Sequence, residues 1–156
     1  ELAQITFLFT GSEESGLRGI MNFLRDLPDS QIPRNFLNID SCGLGVLTMI
    51  ASEGWFRTHS SDSDLRRAGK RCAKEKDIEL HETGRSGAYI SDLTPILQAG
   101  YPGVTISALE KSNRVPLAHS ESDNLENIST NTLVDTTILL SCLAKDITQV
   151  AETPKP

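Results

Sequence analysis

Residues 4–27 read QITFLFTGSEESGLRGIMNFLRDL, and the order of signals in that stretch sets the fold. Residues 4–9 are a short apolar run rich in strand formers. Thr10-Gly11-Ser12 breaks it. From Ser15 onward Leu17, Ile20, Met21 and Leu24 recur at helical spacing, which predicts a helix over 15–27 with one apolar face. Pro28 ends it.

The same order repeats outward from this stretch. Residues 36–39 (FLNI) predict a second buried strand running into Asp40, and 47–51 (LTMIA) a third. Residues 64–76 predict an exposed, charged helix behind the capping candidates of 60–64. A short strand over 77–81 and a Gly-containing loop over 83–87 follow. Residues 92–99 predict a short helix with Pro95 in its first turn and Gly100 as its stop. Residues 104–107 predict another strand and 111–126 a polar loop. Residues 130–150 predict a long helix with an apolar face of Leu133, Ile138, Leu139, Leu143 and Ile147. The strands read as continuous apolar runs, which points to a mostly parallel mixed sheet covered on both faces: an α/β class, three-layer α/β/α sandwich. Residues 1–150 form a single domain in this reading, and 151–156 (AETPKP) a disordered tail.

The bulk numbers fit one domain. The chain has 156 residues, 38% hydrophobic and 23% charged, with 21 acidic against 15 basic residues and a net charge of −6. The acidic balance disfavours an anionic partner, and the basic cluster Arg66, Arg67, Lys70, Arg71 and Lys74 reads as a solvated helix face; no nucleic-acid partner is expected. No apolar stretch is long enough to span a bilayer. Cys42, Cys72 and Cys142 are odd in number and form no C-x-x-C pair, so free thiols are expected, which leans toward a reducing, cytoplasmic compartment.

In open α/β sheets ligands bind beyond the carboxyl ends of the strands. Glu13 and Glu14 follow the first strand, Asp40 ends the second, and His119 lies in the loop after the strand at 104–107. Carboxylate oxygen and imidazole nitrogen together suit zinc, with manganese or cobalt as substitutes. Each residue also has a plain structural reading. The glutamates would favour a helix dipole in a first turn, Asp40 would serve a turn, and His119 would be a surface loop residue. Asp92, after Ser91, either caps the helix at Leu93 or orients a ligand. Trp55 and Phe56 either pack under a loop or line a substrate pocket.

Four segments carry a family resemblance. FLFTGSEESGLRG resembles the apolar strand, glutamate pair and Gly-Leu-x-Gly helix start of the M28 family of zinc aminopeptidases. NFLNIDSCG looks like that family's following strand, which ends in a metal-binding aspartate. SDLTPILQAGYPGVTI resembles its Ser-Asp helix and Pro-containing strand entry. AHSESDNLENIS resembles its His-x-x-x-Asp-x-x-x-x-Ile loop before the last helix. The resemblance implies a zinc-exopeptidase-like fold and a two-zinc aminopeptidase acting on peptides. It implies Glu13 as general base, Glu14 and Asp40 as ligands of different metals, and His119 as the terminal histidine ligand. It also admits relatives that bind without catalysis, or that use one zinc for glutaminyl cyclisation as acyltransferases. The family's His-x-Asp strand and metal-bridging aspartate normally precede the glutamate pair. The expectation is therefore an N-terminally incomplete domain with part of the site, impaired activity and an open sheet edge that favours a homo-oligomer. Leu93 departs from the family, standing where relatives often carry histidine or an aromatic.

Overall fold

The computed structural model describes residues 4–28, 33, 35–83 and 89–150, and all structural statements below concern these. The loop expected over 83–87 lies outside them except for Thr83, as does the tail 151–156.

Four strands form the main sheet: β1 (Phe36–Ile39), β2 (Val46–Ile50), β5 (His81–Glu82) and β6 (Gly103–Leu109), in the order β1-β6-β2-β5. β1 runs parallel to β6 and β2 parallel to β5, while β2 and β6 are antiparallel. The sheet is mixed. Two short strands, β3 (Ser52–Glu53) and β4 (His59–Ser60), form a separate antiparallel hairpin that the sequence reading did not anticipate.

β6 is buried at every position, and its pleat sends alternate side chains to opposite layers. Val104, Ile106 and Ala108 enter a core with Leu47, Met49, Leu65, Leu139 and Leu143, under α2 (Ser63–Glu75) and α4 (Thr130–Val150). Thr105 and Ser107 turn to the other face, where they bond Glu53 and Tyr89. The strand is thus an alternation of apolar and hydroxyl residues, not the uniform apolar run expected. A second core of Ile20, Leu93, Ile96 and Leu97 joins α1 (Arg18–Asp26) to α3 (Leu93–Gln98). Each such Leu or Ile contributes roughly 1.5–3 kcal/mol relative to exposure. Leu93, the family departure, is fully buried there.

Local chemistry sets the helix ends. The Asp62 carboxylate accepts from the N–H groups of Asp64 and Leu65 at 2.8 and 2.9 Å and starts α2, the capping arrangement expected. Around the basic face of α2, Arg66 and Lys70 both pair with Glu82, Arg67 with Asp64, and Arg71 with Asp146.

Four expectations are corrected. Residues 4–9 form no strand: their backbone joins no ladder, and Phe7 and Phe9 are 81% and 92% exposed. An apolar run has strand propensity, but a strand needs a neighbouring strand to take its N–H and C=O groups, and none is present among the described residues. The strand expected at 77–81 shrinks to His81–Glu82, because Asp77 adopts a left-handed φ of 53° after α2. On α4, Leu133 and Ile138 are exposed, and the buried face is Thr136, Leu139 and Leu143. Finally, Cys72 and Cys142 form a disulfide across 70 residues. Packing of α2 on α4 brings them together, which a local spacing rule does not detect. Only Cys42 is free, so the compartment inferred from free thiols loses its premise.

Replacing Cys72 and Cys142 together by alanine is expected to lower the unfolding free energy by about 4 kcal/mol, the loop-closure value for a ring of this size. Denaturant titration measures it. Curves that coincide with and without reductant would contradict the bond.

Candidate metal and acid–base site

The glutamate pair sits in a tight turn, not in a helix. Gly16 and Leu17 donate their N–H groups to the Glu13 carbonyl at 3.0 and 2.8 Å. Ser12, Gly16 and Leu17 all adopt left-handed φ values of 58°, 93° and 57°. α1 starts only at Arg18 and has no acidic residue in its first turn. The dipole reading of Glu13 and Glu14 therefore fails. Gly19 allows the turn to close: a Cβ there would lie 2.3 Å from the Gly11 carbonyl oxygen.

Asp40 leaves the end of β1, its N–H donating to the Ile106 carbonyl at 3.1 Å. Its carboxylate is held from two sides. The Tyr89 hydroxyl donates to Oδ2 at 2.7 Å and the Ser41 hydroxyl to Oδ1 at 3.0 Å. Because β1 and β6 are parallel, the loop after β6 leaves from the same end. That loop carries His119, itself at a left-handed φ of 60°, and its Nε2 lies 2.8 Å from Glu14 Oε1. The pair joins residues 105 apart in sequence and is solvent-exposed on both sides.

These groups act on one another electrostatically. Glu13 is held above the usual carboxylate range, first by partial burial, then by the negative charges of Glu14, Asp40 and Asp92, with His119 opposing. His119 is raised above 6.5 by its hydrogen bond to Glu14, then by the charges of Glu14, Glu13 and Asp123. Asp92 makes no cap to α3; the Ser91 hydroxyl accepts from the Leu93 N–H instead, at 3.2 Å. One oxygen of Asp92 accepts from the Thr10 hydroxyl, and the other is buried without a partner. The cap reading of Asp92 therefore fails: Ser91, expected with Asp92 to orient a ligand or touch substrate, serves the helix start, and Asp92 faces the glutamate turn.

The donor chemistry fits zinc: an imidazole nitrogen and a carboxylate oxygen already meet, with a second, oriented carboxylate at Asp40. The count is smaller than a closed site needs. Among the described residues no three His, Cys, Asp or Glu side chains converge as a ready ligand group. Glu14 and His119 stand in contact; Asp40 stands with Tyr89. His81 pairs with exposed Glu79 at 3.0 Å and plays no part. Trp55 and Phe56 stack on each other, 75% and 98% exposed, and among the described residues no loop covers them. Burial pushes the Cys42 thiol up to about 11, so it is no nucleophile at neutral pH.

Three polar residues of this neighbourhood escape a search confined to strand ends: Thr10, Tyr89 and Glu53. Tyr89 stands two residues before the Ser91-Asp92 pair, and that offset was the available signal.

The family model of peptidase family M28 matches residues 3–143. The chain belongs to peptidase family M28. No protein of curated function matches it. The LapA aminopeptidase of Legionella pneumophila is similar in fold, with a TM-score of 0.72 at 17% identity over 94% of this chain and 42% of that one. BSAP, a zinc aminopeptidase from Bacillus subtilis, is similar with a TM-score of 0.69 at 19% identity, over 88% and 34%. An Acidobacteriales bacterium glutaminyl cyclase is similar with a TM-score of 0.60 at 21% identity, over 85% and 46%. The chain thus spans less than half the length of these three structures. Among the described residues no helix is long and apolar enough to cross a membrane.

The raised value of His119 has a defined sign. The folded state favours the protonated imidazole, so this contribution is complete below 6.5 and is lost as pH rises through the raised value. In metal-free protein, NMR titration of the His119 ring is expected to show a midpoint above 6.5. Glu14→Gln should return it toward the ordinary value. A midpoint indifferent to Glu14→Gln would contradict the pairing.

Proposed function

We propose that this M28 chain carries acid–base and metal-ligating residues of a zinc-dependent aminopeptidase centre acting on peptides. The observation that carries the reading is the contact of Glu14 with His119 beside a Glu13 of raised basicity. Glu14, His119 and Asp40 would hold metal, two zinc ions in the complete centre, with manganese or cobalt as substitutes. Zinc, when bound, supplies a Lewis acid that lowers the pKa of water toward 7.

The chain's own residues do the rest. A carboxylate of raised pKa accepts a proton and gives it up again near neutral pH more readily than an ordinary one. Glu13 has that character, and its side chain would take a proton at a carboxylate oxygen and return it to the departing amine. His119 and Glu14 are exposed and already in contact, so these two side chains would hold a cation without the movement of a packed side chain. Asp40 is pre-oriented by Tyr89 and Ser41, which lowers the entropy lost on ligation.

A second reading has support from the glutaminyl cyclase likeness. The same base would then move protons during cyclisation of an N-terminal glutamine, with one zinc. The two differ in product: free amino acids from peptides in one, ammonia from N-terminal glutamine in the other. Neither product and no bound zinc would sink both enzyme readings and leave the alternative of a non-catalytic peptidase-like fold kept for protein or peptide binding.

Glu13→Gln is expected to lower turnover by about 10²–10⁴-fold, the range for a lost general base, while zinc content stays that of the unmutated protein. Glu14→Gln and His119→Ala should lower zinc content. Steady-state kinetics with metal analysis decides it. Activity that survives Glu13→Gln sinks the assignment.

A further inference from the structure

Glu53 has no place in the chemistry above, yet it is the only charged side chain fully buried among the described residues, with 0% exposure. It stands on β3 and receives three hydrogen bonds. The Ser91 hydroxyl donates at 2.8 Å, the Thr94 hydroxyl at 2.9 Å, and the Thr105 hydroxyl donates as well. The Asn38 amide in turn donates to the Ser91 oxygen at 2.9 Å and the Thr105 oxygen at 3.1 Å. Donation runs one way throughout, from amide to hydroxyl to carboxylate, and an acceptor-only group must end it. Burial holds Glu53 above the usual carboxylate range, and the three hydroxyls pull it back.

This network brackets the contact between Tyr89 and Asp40. Asn38 lies in β1, two residues before Asp40. Ser91 lies two residues after Tyr89. Gly54, directly after Glu53, donates its N–H to the Tyr89 carbonyl at 2.9 Å. Gly54 has a φ of +132°, and a Cβ there would lie 1.9 Å from the Arg57 carbonyl oxygen, so the hairpin can turn here only with glycine. Residues 53 and 54 therefore grip the 89–94 turn at Tyr89, Ser91 and Thr94, while Asn38 and Thr105 tie the grip to β1 and β6.

We propose that Glu53 is a positioning residue for the candidate metal centre: as the acceptor that fixes the 89–94 turn on β1 and β6, it sets where the Tyr89 hydroxyl holds Asp40. Glu53 touches neither metal nor substrate and acts through Ser91 and Tyr89. The inference rests on the reading of Asp40 as a metal ligand. Glu53→Gln tests it without a change of size. The amide sets two donor hydrogens against at least one hydroxyl that now donates to the carboxylate, and that hydroxyl must reverse.

The experiment compares Glu53→Gln, Tyr89→Phe and the double variant by zinc affinity, from competition with a chromophoric chelator, and by thermal unfolding of the metal-free protein. Each single change is expected to weaken zinc binding about tenfold, the lower end for a lost ligand-orienting group, and the double variant no further. Losses that multiply to about 100-fold, or a Glu53→Gln protein that melts earlier with zinc affinity unchanged, overturn the proposal. If Glu53→Gln does not fold, Ser91→Ala cuts the same link and takes its place in the comparison. If the unmutated protein takes up no zinc, the metal-centre reading fails. The metal-free arm then decides the positioning claim: losses in melting midpoint that are less than additive support it, and additive losses refute it.

Discussion

The parallel pairing of Phe36–Ile39 with Gly103–Ile106 is the contact on which the site depends. It places the ends of two strands together, so that Asp40 and the loop bearing His119 leave the sheet on one side. The same ladder fixes β6 between two layers. On one face of β6, Val104, Ile106 and Ala108 anchor the helices that carry the disulfide. On the other, Thr105 and Ser107 present hydroxyls to Glu53 and Tyr89. A shift of one residue in this register would exchange the faces and bury the apolar set against the polar network.

Like charges gather at this end of the sheet. Glu13, Glu14, Asp40 and Asp92 are close enough to raise the Glu13 pKa, and such crowding opposes folding unless something positive offsets it. The fold supplies partial relief: a protonatable His119 on Glu14, hydroxyls on Asp40, and Thr10 on Asp92. Buried Asp92 Oδ1 has no partner. A divalent cation would complete the relief, which is the physical reason to read the cluster as a metal centre and not as a surface ornament.

Much of this was legible in the sequence, for identifiable reasons. The end of β1 pointed to Asp40, and the end of β6 to the loop bearing His119, because these signals are local; the glutamate pair was placed by the end of a strand over 4–9 that does not form. The capping aspartate of α2 was legible for the same reason. What escaped was relational. The run 4–9 has every strand propensity but no ladder partner among the described residues. Cys72 and Cys142 are joined by helix packing, and spacing carries no trace of it. Glu53 looks like an ordinary polar residue beside Gly54, and only burial beneath Thr105 shows that its carboxyl organises a turn. The roles of Tyr89 and Glu53 depend on the β3–β4 hairpin folding back over the sheet, which two-residue strands do not announce.

The central claim concerns the space between Glu14 and His119, and a zinc anomalous difference map from crystals of the protein tests it directly. The account predicts a peak bonded to His119 Nε2 and a Glu14 carboxylate oxygen at about 2.0–2.2 Å from each, with the two side chains parted from their present 2.8 Å contact. Zinc-saturated crystals with no peak there, and the direct contact intact, would contradict it.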